Sequence, residues 1–175
     1  MRAAVLVKNI ALLGFMGCGK TTVGRLLARK LGFLFLDTDS LIEEKSGLSI
    51  PRIFELFGES YFRDLETQVL REVASRNRLV LSTGGGLPMR DENWQLLQEK
   101  FLTVFLEVPF DTLWKRIALD SGRPLLRRYS RKDLLKELYL KRLSRYREAD
   151  VIISAGELTP EKIVEAIVNH AQFDC

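Results

Sequence analysis

Residues 14–22 read Gly-Phe-Met-Gly-Cys-Gly-Lys-Thr-Thr, and Gly14, Gly19, Lys20 and Thr21 fit the spacing G-x-x-x-x-G-K-[ST]. The apolar run Ile10 to Leu13 precedes them and the helical pattern Val23 to Leu31 follows, so the glycines stand where a strand turns into a helix. Such a turn aims successive backbone N–H groups, here those of Gly17, Cys18, Gly19, Lys20, Thr21 and Thr22, at phosphate oxygens. The positive end of the helix dipole adds to their pull. Lys20 would reach the β- and γ-phosphates as a point charge, and the Thr21 hydroxyl would ligate Mg²⁺. A glycine turn that merely joins strand to helix asks for neither Lys nor Thr. The expected ligands are a nucleoside triphosphate and its metal ion.

In a parallel sheet wound by helices, ligands gather outside the carboxyl ends of the strands. The residues that follow each apolar run therefore matter most. The second run ends in Asp37-Thr38-Asp39. One of these carboxylates could hold a water of the Mg²⁺ shell while the other takes a proton from an attacking hydroxyl. Capping of the next helix by Asp39 or Ser40 would also explain the pattern, and only its place after a strand favours chemistry. The third run ends in Ser82-Thr83-Gly84-Gly85-Gly86, which permits close backbone approach and exposes N–H groups to a small ligand, where a plain turn would need fewer glycines. Arg63 and Glu66, at i and i+3, can meet on one helix face. Spacing favours a solvated surface pair; the alternative is that Glu66 holds the Arg63 fork ready for a substrate carboxylate. Arg123-Pro124 falls in a polar, basic stretch from Asp120 to Arg131 that reads as a mobile loop, and a cation on such a segment could close over a γ-phosphate. Arg116, Arg127, Arg128, Arg142 and Arg145 are further cations, most of them expected in solvent. His170 suits the end of a terminal helix, and Trp94 and Trp114 fall in helix patterns as packing residues.

The elements that must position these residues alternate. Strand candidates at Asn9 to Leu13, Phe33 to Asp37, Arg78 to Ser82, Thr103 to Val108 and Val151 to Ser154 are rich enough in Leu, Val, Ile and Phe to be buried on both faces. Helical patterns separate them: Thr21 to Leu31 stopped by Gly32, Leu41 to Ser46 ended by Gly47, and a segment from Ser49 that Gly58 interrupts before Glu59 to Ala74. Others run from Asp91 to Gln98, Asp111 to Leu119, Lys132 to Arg147 and Pro160 to His170. The class is α/β, a three-layer parallel sheet flanked by helices with a mobile lid. A chain of 175 residues, 46% hydrophobic, suits one domain spanning 1–175. The net charge of +4 is mild, and no aromatic-studded basic stripe calls for nucleic acid. Charge-free runs reach only 11 residues, too short for a membrane span, and Met1 to Lys8 is a poor signal peptide. With two cysteines, Cys18 in the loop and Cys175 at the last position, a reducing, cytoplasmic setting is expected, and a monomer is the simpler expectation.

Taken together these segments resemble the shikimate kinases over nearly the whole chain. The resemblance rests on the phosphate loop, Phe-Leu-Asp-Thr-Asp at 35–39, Ile53-Phe54, Gly58-Glu59, Phe-Arg-Asp-Leu-Glu at 62–66, Ser-Thr-Gly-Gly-Gly at 82–86 and Arg-Pro-Leu-Leu at 123–126. It implies a five-stranded sheet in the order 2-3-1-4-5 and transfer of the ATP γ-phosphoryl group to the 3-hydroxyl of shikimate, a step toward chorismate and aromatic amino acids. By similarity Asp39 would bind substrate hydroxyls and act as base, and Asp37 would meet Mg²⁺ through water. Arg63 and Arg142 would hold the shikimate carboxylate, with Gly84, Gly85 and Gly86 lining the pocket. Arg123 would be the lid arginine, and Arg116 would lie against adenine. Ser144 stands where the family often has Pro, which leaves either Arg142 or Arg145 to meet the carboxylate. The residues after Val151 match weakly. A gluconate kinase, which shares loop and sheet, is the nearest alternative enzyme, and a non-catalytic nucleotide-binding module is the alternative of another class.

Overall fold

Five short apolar runs form one parallel sheet in the order β2-β3-β1-β4-β5 in the computed structural model, which describes residues 9–118 and 131–171. The strands are β1 (Asn9–Leu13), β2 (Leu34–Asp37), β3 (Leu79–Ser82), β4 (Leu102–Glu107) and β5 (Val151–Ser154). Helices α1 (Lys20–Leu31), α2 (Thr38–Ser46), α3 (Ile50–Val73), α4 (Asp91–Lys100), α5 (Phe110–Ala118), α6 (Lys132–Tyr146) and α7 (Pro160–His170) connect and follow them. The predicted strands and their order hold to within a residue at each end. Most of the predicted lid, with Arg123, Arg127 and Arg128, lies outside the described residues, as does Cys175.

The central strands β1, β3 and β4 are buried along nearly their whole length, as their unbroken apolar sequences require. The two outer strands depart from that expectation. Leu34 is exposed in β2, and β5 alternates, with Ile152 and Ser154 outward. Each outer strand has only one neighbour, so a continuous apolar run there is not matched by cover on both sides. Chain order changes direction at β1, where β3 stands on one side and β4 on the other. Right-handed crossovers running opposite ways from that point place the helices on both faces. α1 and α7 pack together on one of them.

Register sets the site. Leu12 pairs with Ser82 and Ser82 with Asp37, while Leu13 pairs with Phe105, so the carboxyl ends finish level at one edge. The segments that follow β1, β2 and β3 therefore emerge side by side. α2 begins at once after β2, and its N-cap is Asp37, whose Oδ1 accepts from the N–H groups of Asp39 (3.0 Å) and Ser40 (3.3 Å). This corrects the expectation of a cap at Asp39 or Ser40, and it frees Asp39 from that duty. Gly58 does interrupt the long third helix: at φ 79 and ψ 178 it breaks α3 in a backbone region open to glycine alone.

Gly24 brings α1 close to β2. A Cβ there would stand 2.5 Å from Phe35 Cε2 and 3.3 Å from Leu12 Cδ1. Gly24→Ala gains about 1 kcal/mol of helix propensity but overpacks a buried contact, a loss of about 1–3 kcal/mol, so the variant is expected to unfold at lower urea. A midpoint at or above that of the parent would show that Phe35 yields without cost.

Candidate active site

The phosphate loop takes the form its glycines permit. Gly14, Gly17 and Gly19 have φ of 146°, 79° and 100°, values an L side chain resists, and Gly19 is the N-cap of α1. Lys20 Nζ donates to Gly14 O at 2.8 Å and to Phe15 O at 3.2 Å, across the concave side of the turn. Cys18 is buried, with its Sγ 2.7 Å from where a Gly14 Cβ would stand. Gly14 and Cys18 thus shape the loop from behind, while Gly17, Gly19, Lys20, Thr21 and Thr22 line the cleft in front of it. Thr21 Oγ1 donates to Asp37 Oδ2 at 3.2 Å. The hydroxyl and carboxylate suited to a hydrated Mg²⁺ are thereby adjacent, and the loop supplies the phosphate side. Among the described residues no group of three or more His, Cys, Asp or Glu side chains is placed to hold a metal ion.

Opposite the loop, the glycine turn after β3 is enclosed by carboxylates and guanidinium groups. A Cβ on Gly84 would stand 2.7 Å from Asp39 Oδ1 and 2.9 Å from Glu66 Oε1, and one on Gly86 would fall on the Arg63 guanidinium. The glycines are therefore required by space as well as by turning. One expectation changes: the Gly84 N–H is already given to Thr38 Oγ1 at 2.8 Å, so Gly84 contributes closeness rather than a donor. Asp39 Oδ1 is buried with no hydrogen-bond partner. Burial and the neighbouring charge of Asp37 push its carboxyl up to about 6, against the pull of Lys20.

Arg63 does not form the solvated pair that spacing favoured. Its Nη1 donates to Glu66 Oε2 at 2.7 Å and its Nη2 to Glu59 Oε1 at 3.1 Å, and Glu66 is only 1% exposed. Burial pushes Glu66 up to about 7, with Arg63 opposing. Burial works against the charge on Arg63 too, yet Glu66 and Glu59 hold its pKa above the ordinary arginine value. Arg142 is buried on α6, over the Phe15 ring at 5.8 Å and beside Gly85. Arg145 turns elsewhere, paired with Asp91 and, at 3.2 Å, with Glu148, and stacked on Trp94. Of the two, Arg142 alone lines the cleft. Arg116 lines its other end, donating to Gly17 O (3.4 Å) and Gly156 O (3.3 Å) and so bridging the phosphate loop to the segment after β5.

Most of these groups border one cleft of about 1240 Å³. Its walls hold Lys20, Thr21, Asp37, Asp39, Arg63, Arg116, Arg142 and the three glycines, together with Phe54 and Phe62, which the sequence offered only as parts of family motifs without a role, and Glu43, for which it gave no signal. Phe54 and Phe62 stack with centroids 4.7 Å apart across the Gly58 break, a pairing that regular helical spacing would not suggest. One long cleft with a phosphate cradle at one side and a carboxylate-and-guanidinium pocket at the other can bring an anionic donor and a small anionic acceptor together.

A family model described as shikimate kinase matches residues 16–172. The shikimate kinase of Thermodesulfovibrio yellowstonii is 42% identical over 162 residues, which cover 93% of this chain and 94% of that protein. A solved shikimate kinase from Acinetobacter baumannii, in complex with shikimate, superposes with a TM-score of 0.89 at 41% identity, covering 95% of this chain and 93% of that one. A gluconokinase from Sinorhizobium meliloti is alike in fold alone, with a TM-score of 0.58 at 20% identity.

Proposed function

Since the chain belongs to the shikimate kinase family, we infer that it transfers the γ-phosphoryl group of ATP to the 3-hydroxyl of shikimate, giving shikimate 3-phosphate and ADP. The observation that carries the assignment of roles is the Asp39 Oδ1 atom, a buried acceptor without a donor in the same cleft as Lys20 and Arg63. A buried carboxylate oxygen without a donor is costly and holds the carboxyl's pKa up, as a base needs, and the residue lines the cleft where a substrate hydroxyl can meet its carboxyl. Asp39 binds that hydroxyl and takes its proton as attack proceeds. Arg63, steadied by Glu66 and Glu59, and Arg142 hold the carboxylate of the acceptor, with Gly85 and Gly86 close against it. Lys20 and the N–H groups of the loop hold the phosphates, and Arg116 lies along the base.

Thr21 and, through water, Asp37 would hold Mg²⁺, which when bound neutralises charge on the β- and γ-phosphates. Arg123 is proposed as the lid cation. Phosphoryl transfer has a loose transition state, so positioning and charge neutralisation are what this chain contributes. We further propose that it works as a cytoplasmic monomer, with Cys18 a free thiol buried behind the phosphate loop.

The test is ADP formation with Mg²⁺-ATP against shikimate, gluconate and nucleoside monophosphates, with Lys20→Ala as background. Turnover is expected with shikimate and not with the others, and it should fall at least about 100-fold in the variant. Turnover with gluconate in its place would overturn the acceptor, and ATP binding with no acceptor at all would favour a non-catalytic module.

A further inference from the structure

The turn at Gly84 to Gly86 has no side chains of its own to fix its shape, and two buried hydroxyls from other elements supply that hold. On one side Thr38, fully buried at the head of α2, accepts the Gly84 N–H at 2.8 Å. On the other, the Tyr146 hydroxyl donates to Gly85 O at 2.6 Å. The Tyr146 ring has no exposed surface and lies on Phe105 with centroids 5.2 Å apart. Arg142, one turn earlier on α6, stands beside the same hydroxyl. Both groups converge on Gly85, where an added Cβ would stand 3.2 Å from Arg142 Nη1 and 3.4 Å from the Tyr146 oxygen. A single phenol thus holds the glycine turn at the point where the arginine packs against it, and both are assigned to the same carboxylate.

Packing alone does not ask for this hydroxyl. A phenylalanine would fill the stack on Phe105 equally well and would bring no polar group into the core. Holding the Gly85 carbonyl also fixes the plane of the next peptide, and with it the direction of the Gly86 N–H, since the two point opposite ways across a trans bond. Gly86 itself stands beside the Arg63 guanidinium, on which an added Cβ would fall. Burial pushes the phenol far above neutral pH, so it remains a donor wherever the enzyme works.

We propose that Tyr146 and Thr38 are positioning residues for the acceptor: Tyr146 holds the Gly85 peptide in register with Arg142 beside it, and Thr38, the residue before Asp39, ties the same turn to the head of α2. This rests on the acceptor reading above. Neither hydroxyl is assigned a contact with the substrate.

The experiment is steady-state kinetics of the parent, Tyr146→Phe and Thr38→Val, varying shikimate and ATP in turn. Losing one buried hydrogen bond that orients a charged site is expected to raise the shikimate KM about tenfold in each variant, with the ATP KM within about twofold. Because Tyr146 acts through Arg142, the double variant Tyr146→Phe, Arg142→Ala should lose less than the product of the two single effects. A shikimate KM within about twofold of the parent in both hydroxyl variants, or both KM values rising together, would overturn the proposal. If Tyr146→Phe does not fold, Thr38→Val is judged by the same criteria; if neither folds, the hydroxyls are structural and the proposal fails. A parent that turns over shikimate beside unaffected variants removes this inference alone. A parent silent on shikimate removes the acceptor reading as well.

Discussion

Asp39→Asn lowers kcat by about 10²- to 10⁴-fold while ATP affinity stays within about twofold. The amide keeps the size of the carboxylate and can still accept a hydrogen bond from a substrate hydroxyl, so binding of the acceptor is largely kept. It cannot take the proton. Lys20 loses a charged neighbour but keeps its bonds to Gly14 O and Phe15 O, so the phosphate loop holds its form. The parent should also show an acid limb: with its carboxyl pushed up to about 6, Asp39 becomes protonated and idle below that pH, and kcat/KM falls about tenfold per unit. Glu66, pushed up to about 7 and facing the same glycine, couples to this titration, so the limb belongs to the pair rather than to either group. Substantial residual kcat in Asp39→Asn, measured as ADP formation at saturating shikimate, would remove Asp39 as the base.

The same substitution has a stability consequence of opposite sign. A carboxyl whose folded pKa is raised from 3.8 to about 6 favours the folded state while it is protonated, and that contribution is lost as pH rises through about 6. At pH 8 the native protein therefore carries the cost of a buried charge, up to about 3 kcal/mol, which the amide does not. Asp39→Asn should accordingly raise Tm at pH 8 and change it little at pH 4. A charge held at a loss to the fold is what a working base in a shielded cleft requires.

The sheet was legible because its strands are short apolar runs with sharp ends, and a parallel order leaves few ways to arrange them. Asn9 to Leu13, ending on Gly14, needed no tertiary knowledge to read. The outer strands misled in burial, since Phe33 to Asp37 is as apolar as its neighbours yet lies at an edge, a property of the sheet rather than of the segment. Local chemistry misled at Asp37 and Asp39. Both suit an N-cap, and the choice turns on where β2 stops, which its pairing with Ser82 decides. Arg63 and Glu66 were the hardest case. Their spacing is identical for a solvated pair and a buried one, and what buries Glu66 is the approach of Gly84, 18 residues away in sequence and invisible to any helical pattern. Arg142 and Arg145 could not be ranked in sequence because they lie within one turn of α6. The structure separates them by giving Arg145 acidic partners at Asp91 and Glu148 and leaving Arg142 on the cleft.

Arg63→Ala raises the shikimate KM with little change in that for ATP. Two effects add. The acceptor carboxylate loses a guanidinium already fixed in place by Glu66 and Glu59, and Glu66, 1% exposed, loses its cation. Leaving one member of a buried charge pair alone costs about 2–5 kcal/mol, which is about 30- to 4,000-fold in affinity. Part of that cost is avoidable by protonation: without Arg63 the Glu66 carboxyl rises further and stays neutral at pH 7, so the fold survives and the loss appears in binding. Arg63→Lys separates the contributions. It restores a charge near Glu66 but not the planar fork, so it should recover stability more fully than shikimate KM. The measurements are paired KM values at saturating co-substrate and urea midpoints for the three proteins. An unchanged shikimate KM in Arg63→Ala would remove Arg63 from the acceptor site, and an equal rise for ATP would mean that the whole cleft, including the phosphate loop, had been disturbed.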